Sequence, residues 1–233
     1  ALNRKMTWAI GGFRDTDKHG DSFGKDGIYN LTARFTAVPI YTKKEGLLHL
    51  GFAYSHKWLN NNASLRFRAR PETHITGYFL DTKHIPAEGA DLFAPEMAAV
   101  YGPFSLQGEY FLGLIHREHL ERLDFRGYYL QGSYFLTGET RPYKRSSARF
   151  GRLEPNKNFN PEAGEWGAWE AAVRYSVLDL KDRDVQAGRL NDYTLGLNWY
   201  LYPNLRFMFN YILSGFENVG DTHIFQTRFQ LDF

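Results

Sequence analysis

The final twelve residues, "THIFQTRFQLDF", alternate with almost no error. Phe225, Thr227, Phe229, Leu231 and Phe233 occupy one parity, and Gln226, Arg228, Gln230 and Asp232 the other. A period of two is the mark of an extended strand with one apolar and one polar face. The same rhythm runs upstream. Leu205, Phe207, Phe209, Tyr211 and Leu213 oppose Arg206, Met208, Asn210, Ile212 and Ser214, and Tyr193, Leu195, Leu197, Trp199 and Leu201 oppose Thr194, Gly196, Asn198 and Tyr200. Matching alternations start near Trp169, Tyr128, Phe104, Leu48 and Tyr29, and further strands are expected at 4–13, 63–71, 74–83 and 91–101. The stretch 143–152 is ambiguous, and the total is about twelve strands with no competing amphipathic helix.

Two properties favour a membrane wall over a soluble sandwich. The strands approach ten residues, the length that crosses a bilayer at a tilt. The minority face carries Gln, Asn, Ser, Thr, Gly and Arg, which do not build a core, while the majority face carries large aromatics and leucines. The fold class expected is therefore all-β, an antiparallel transmembrane β-barrel of the outer-membrane type, with residues 1–233 as a single domain. A mean hydropathy of −0.48 does not conflict, because alternation averages out along a window. No apolar run reaches the ~20 residues of a membrane helix. Short connections such as "GPF" and "YPN" contrast with longer ones at 14–27, 115–124, 137–164 and 215–222, so short turns are expected at one rim and long loops at the other.

Composition excludes several functions. The chain has no cysteine, so disulfides and thiolate chemistry are absent. Its 28 basic and 26 acidic residues nearly cancel, and no long basic run points to nucleic acid. Asp179, Asp182 and Asp184 lack the glycine and terminal glutamate of a calcium loop. "HREH" at 116–119 spaces two histidines by three within an expected loop, and neither a metal site nor a cofactor is expected. No serine sits in a nucleophile elbow, so no catalytic residue is expected. The sequence starts at Ala1 without the charged and apolar regions of a signal peptide, as it would if one had been removed or had never been present.

On a barrel the polar face lines the interior. In "ASLRFRARPETH", Arg66, Arg68 and Arg70 alternate with Leu65, Phe67 and Ala69, and on a strand they form a ladder with rungs ~6.6–6.8 Å apart. Guanidinium groups stay charged and match phosphate or carboxylate oxygens, so such a row suits a mobile anion. Arg34, Arg174, Arg206 and Arg228 share the polar parity and extend this expected anion pathway. A competing reading pairs these arginines with Glu72, Glu109, Glu139 and Glu170 in interior salt bridges. A second cluster, Arg141, Lys144, Arg145, Arg149, Arg152 and Lys157, would concentrate anions at a pore mouth, or else form a solvated loop.

The segments "LRFRARPE", "AAVYGPFSLQGEYF", "GYYLQGSYFLTGETRPY", "GAWEAAVRYSVLDL" and "YTLGLNWYLYPNLRFMFNYI" together resemble the phosphate-selective porin O and P family of outer-membrane channels. The resemblance covers about Tyr29 to Phe233, the family's C-terminal two thirds, and its amino-terminal strands have no counterpart here. Phe233 looks like the terminal assembly signal of bacterial outer-membrane barrels. The resemblance implies a homotrimeric porin in the outer membrane, in contact with its lipid, passing small anions such as phosphate or polyphosphate without catalysis. The alternative is a structural or partner-docking barrel without selective transport.

Overall fold

The computed structural model describes residues 5–14, 29–42, 46–60, 63–217 and 219–232. Ten long strands, β1 (Met6–Arg14), β2 (Tyr29–Thr42), β3 (Gly46–Trp58), β4 (Gly89–Tyr101), β5 (Phe104–His116), β6 (Leu123–Phe135), β7 (Ala168–Asp182), β8 (Val185–Tyr202), β9 (Leu205–Phe216) and β10 (Gly220–Leu231), form one sheet. Each pairs antiparallel with the next in chain order, leaving β1 and β10 as edges among the described residues. The strands are 9 to 18 residues long. The only helical element among the described residues is the single turn Pro161–Ala163.

The registers preserve the alternation. Val173 sits opposite Leu195, and Leu195 opposite Tyr211, keeping apolar side chains together. These faces point to the outside: Leu130, Val173, Leu195 and Phe225 are all more than half exposed. On the opposite face, Thr36, Ser105, Ser133, Glu170, Asp192 and Ser214 are buried. This is the reverse of a soluble sheet, where exposed leucines in register would face water with nothing gained. Stacked aromatics rim the outer face at one end. Trp169 lies on Trp199 with centroids 5.0 Å apart, Phe207 follows at 5.9 Å, and Phe229 lies 5.1 Å beyond it. Such a girdle sits at a membrane interface, where amphipathic rings meet headgroups.

Local irregularities sit where the chain requires them. Pro39 has no amide hydrogen to give, and it falls in the one-residue register shift between Ala37 and Ile40 of β2. The tight turns Gly102–Pro103, Arg183–Asp184 and Pro203–Asn204 each connect two strands.

Two expectations need correction, and one open stretch is settled. The stretches 63–71 and 74–83 are not wall strands. They belong to an excursion from residue 59 to 88 whose described residues make only two-residue bridges, Ser64–Leu65 to Ile85–Pro86 and Arg68–Ala69 to Leu80–Asp81, so the sheet has ten strands among the described residues rather than about twelve. The two rims are also not divided into short and long connections. Strand direction puts the long 136–167 excursion at the same end as the turns Gly102–Pro103 and Pro203–Asn204, whereas the 59–88 excursion enters from the opposite end. The ambiguous stretch 143–152 is a small hairpin, Tyr143–Lys144 with Arg149–Phe150. The loop expected at 14–27, apart from Arg14, and Phe233 lie outside the described residues.

Candidate functional site

Both excursions dock on the polar face, and the sheet curls around them. The 136–167 insert alone touches β2, where Arg145 lies 4.4 Å over the Tyr41 ring, and reaches Asp232 beyond β10 through Arg152 at 3.5 Å. Elements eight strands apart in the sheet meet one insert, so this face is concave.

The 59–88 insert is held by an apolar side and an acidic hook. Leu65, Phe67 and Ala69 pack on a cluster containing Leu80, Ile115, Leu123, Phe125 and Leu190. Glu72 reaches the wall, where its carboxylate accepts bonds from Ser176 Oγ at 2.8 Å and Thr194 Oγ1 at 2.6 Å. The Arg174 guanidinium forms an ion pair with it at 2.6 Å.

This geometry revises the arginine ladder. Arg66, Arg68 and Arg70 do alternate with the partly buried Leu65, Phe67 and Ala69, but on the insert rather than on a wall strand. Asp81 accepts two bonds from Arg66, at 2.8 and 2.5 Å. The Arg66 guanidinium holds the Asp81 carboxyl well below the usual carboxylate range, and the Lys83 amide and ammonium add to the effect. Arg68 and Arg70 both lie over the ring of Tyr78, at 4.4 and 4.5 Å, and have no carboxylate partner among the described residues.

The wall arginines divide in the same way. Arg34 is bound by Glu96, which also lies 3.0 Å from His49 Nε2, while Arg174 is matched by Glu72. Arg206 donates only to neutral groups, Gln230 Oε1 at 2.9 Å and Tyr200 Oη at 3.4 Å. Arg228, on the same face, has no partner among the described residues. Salt bridges therefore neutralise Arg34, Arg66 and Arg174 but leave Arg68, Arg70, Arg206 and Arg228 uncompensated.

The second basic cluster is partly folded inward. Arg141 donates to Gln107 Oε1 at 2.6 Å and lies 3.6 Å over Phe150, and the Tyr143 hydroxyl is 2.6 Å from His49 Nδ1. Lys144 and Arg149 are exposed on the hairpin, and Lys157 reaches Glu165 at 3.3 Å. Arg141, Arg152 and Arg206 line one cavity of about 330 Å³, with Glu170 and Asp232 on its wall. Three partners, Asp81, Glu96 and Tyr78, were missed in the sequence although parity could have found one. Glu96 shares a face with Ala98 and Val100, which is the inner face, whereas Tyr78 between two arginines carries no such signal.

Among the described residues no histidine bonds both a serine and an acid. Ser64 Oγ lies 3.0 Å from His84 Nδ1, and no acid among the described residues bonds that ring.

A sequence model of the family described as phosphate-selective porin O and P matches residues 2–233. The chain belongs to the phosphate-selective porin O and P family. The match begins earlier than Tyr29, so β1 is part of the family's pattern. Among its relatives, an uncharacterized protein of Caulobacter vibrioides is 30% identical over 97% of this chain and 46% of its own length. Porin O of Pseudomonas aeruginosa is 26% identical over 88% of this chain and 52% of its own. The chain thus spans about half the length of these curated relatives, not two thirds. Membership identifies the ten-stranded sheet, with apolar side chains outward, as wall of an outer-membrane β-barrel, and the family is one of channels rather than catalysts.

Proposed function

We propose that residues 1–233 act as one wall domain of a passive outer-membrane channel that favours small anions such as phosphate. The observation that carries this reading is the set of inward arginines without carboxylate partners, Arg206 and Arg228 on the wall and Arg68 and Arg70 on the insert. A guanidinium held by neutral acceptors or a ring keeps its full field for a passing anion, whereas one matched by a carboxylate largely loses it. Arg141, which donates to the neutral Gln107, adds charge beside Arg206 in the same cavity, whereas Arg152 there is paired with Asp232. The paired residues Arg34, Arg66 and Arg174 position the inserts and contribute less to selectivity. Lys144, Arg145, Arg149 and Lys157 serve as a mouth cluster on the 136–167 hairpin and its return. Assembly as a homotrimer belongs to the same proposal, and sizing in detergent tests it.

The test is the zero-current potential of the protein in planar bilayers across a potassium chloride gradient. Chloride preference is expected, and replacing Arg206, Arg228, Arg68 and Arg70 by Gln should move the potential toward the cation side. An unchanged potential would refute the assignment. Both inserts fill the concave face, which supports a second reading as a structural barrel, and complete lack of conductance in the parent protein would favour it.

A further inference from the structure

Charged residues also occupy the outward face, where a barrel wall would meet lipid. Arg126 of β6 shares its parity with the exposed Tyr128, Leu130 and Tyr134, and Arg189 of β8 lies on the same side. The register places Asp179 of β7 between them, opposite Arg126 on one side and Arg189 on the other. No ion pair forms in this row. Together with Tyr110, Tyr128, Lys181 and Arg183 the two arginines line an open groove of about 480 Å³.

The groove also has carboxylates, and none of them forms an ion pair with Arg126 or Arg189. Asp124 is bound by Arg122 at 2.8 Å, Asp182 accepts the Asp124 amide at 2.8 Å, and Asp179 accepts the Lys181 amide at 3.0 Å. Lys181 pairs with Glu217 and Arg183 with Glu121. What remains is Arg126, which is exposed and has no partner among the described residues, and Arg189, which touches only the Asn191 amide oxygen at 3.3 Å.

Depth explains why two such cations can stand on a lipid-facing wall. Ten residues separate Trp199 of the aromatic girdle from Arg189 on β8. At ~3.3 Å per residue and ~40° tilt this is about 25 Å along the membrane normal, the height of a barrel's apolar band. Arg126 and Arg189 therefore lie at headgroup level of the leaflet opposite the tryptophans. We propose that this groove binds the phosphate group of a membrane lipid, with the two guanidiniums as ligands and Tyr110 and Tyr128 against the upper acyl chain. Guanidinium matches phosphate by forked donation, and juxtamembrane basic groups attract anionic headgroups.

The test is native mass spectrometry of the full chain in detergent micelles, titrated with phosphatidic acid, with diacylglycerol of the same chains, and with inorganic phosphate. Phosphatidic acid should be retained about tenfold more than diacylglycerol. Arg126→Ala with Arg189→Ala should remove that difference, while Arg228→Gln, which loses a charge on the inner face, should keep it. Arg126→Gln serves as the milder variant if the pair does not fold, and is expected to lose part of the difference. Equal retention of the two lipids, or retention unaffected by these variants, overturns the proposal. Inorganic phosphate held as strongly as phosphatidic acid overturns the lipid as its source. Channel selectivity of the Arg126 and Arg189 variants should match the parent, which separates this site from the pathway on the concave face.

Discussion

Glu72, on the insert that follows β3, lies 2.6 Å from the Arg174 guanidinium on the inner face of β7. The pair joins residues far apart in the chain, and Ser176 and Thr194 complete the carboxylate's surroundings. It fixes the tip of the insert on the wall.

Replacing Glu72 by Ala should release that tip and leave Arg174 unmatched. Both side chains are partly exposed, so the cost is set at about 1–2 kcal/mol, between surface and buried pairs. The expected readout is faster proteolysis within 59–88 and a lower unfolding temperature. Equal protease resistance would show that the apolar side of the insert holds it alone.

The outward position of Leu195 offers a direct test of the inverted geometry. It is 58% exposed at mid-strand. On a soluble surface Leu195→Arg would be nearly neutral. In a bilayer the same change at mid-depth should cost about 2–4 kcal/mol. Folding titrations in lipid vesicles distinguish the two, and a neutral result argues against a membrane wall.

The Arg66–Asp81 pair sets a pH dependence for the 59–88 insert. Because the folded pKa of Asp81 is depressed, its stabilising effect is present above the unfolded value of about 3.9 and is lost only as pH falls below it. Hydrogen exchange of the insert amides, corrected for intrinsic rates, should be the same at pH 7 and pH 5 and accelerate below about pH 4. Asp81→Asn should accelerate it at every pH in that range.

Gly167 precedes β7 with a φ of 69°, and a β-carbon there would run into the Tyr200 carbonyl oxygen. Backbone cannot move aside as a side-chain tip can. Gly167→Ala should therefore cost more than the ~1–2 kcal/mol of a left-handed alanine. Loss of the 136–167 docking is expected, visible as new protease cleavage in that segment.

The wall was legible in the sequence because alternation reports sidedness directly, as β9 and β10 demonstrate. Alternation does not report which backbone pairs with which. Residues 65–70 show why: Leu65, Phe67 and Ala69 do turn to an apolar cluster while Arg66, Arg68 and Arg70 turn away, so the pattern is real. Its backbone, however, finds only two-residue bridges within the insert instead of a wall neighbour. The end from which 136–167 enters was recoverable, because two extra strands leave the direction of every later strand unchanged. Of the candidate arginines, parity placed Arg34, Arg174, Arg206 and Arg228 on the right face. Which of them are neutralised depended on Glu72 and Glu96 arriving from distant strands and loops, and no spacing encodes that.

The two inserts reach the wall at successive depths, one near Asp192 and Thr194 of β8 and the other near Asn198 and Tyr200. Obstructions met one after another along a conduit combine as resistances in series. Trimming one alone would then leave current limited by the other, and a large gain in flow requires shortening both.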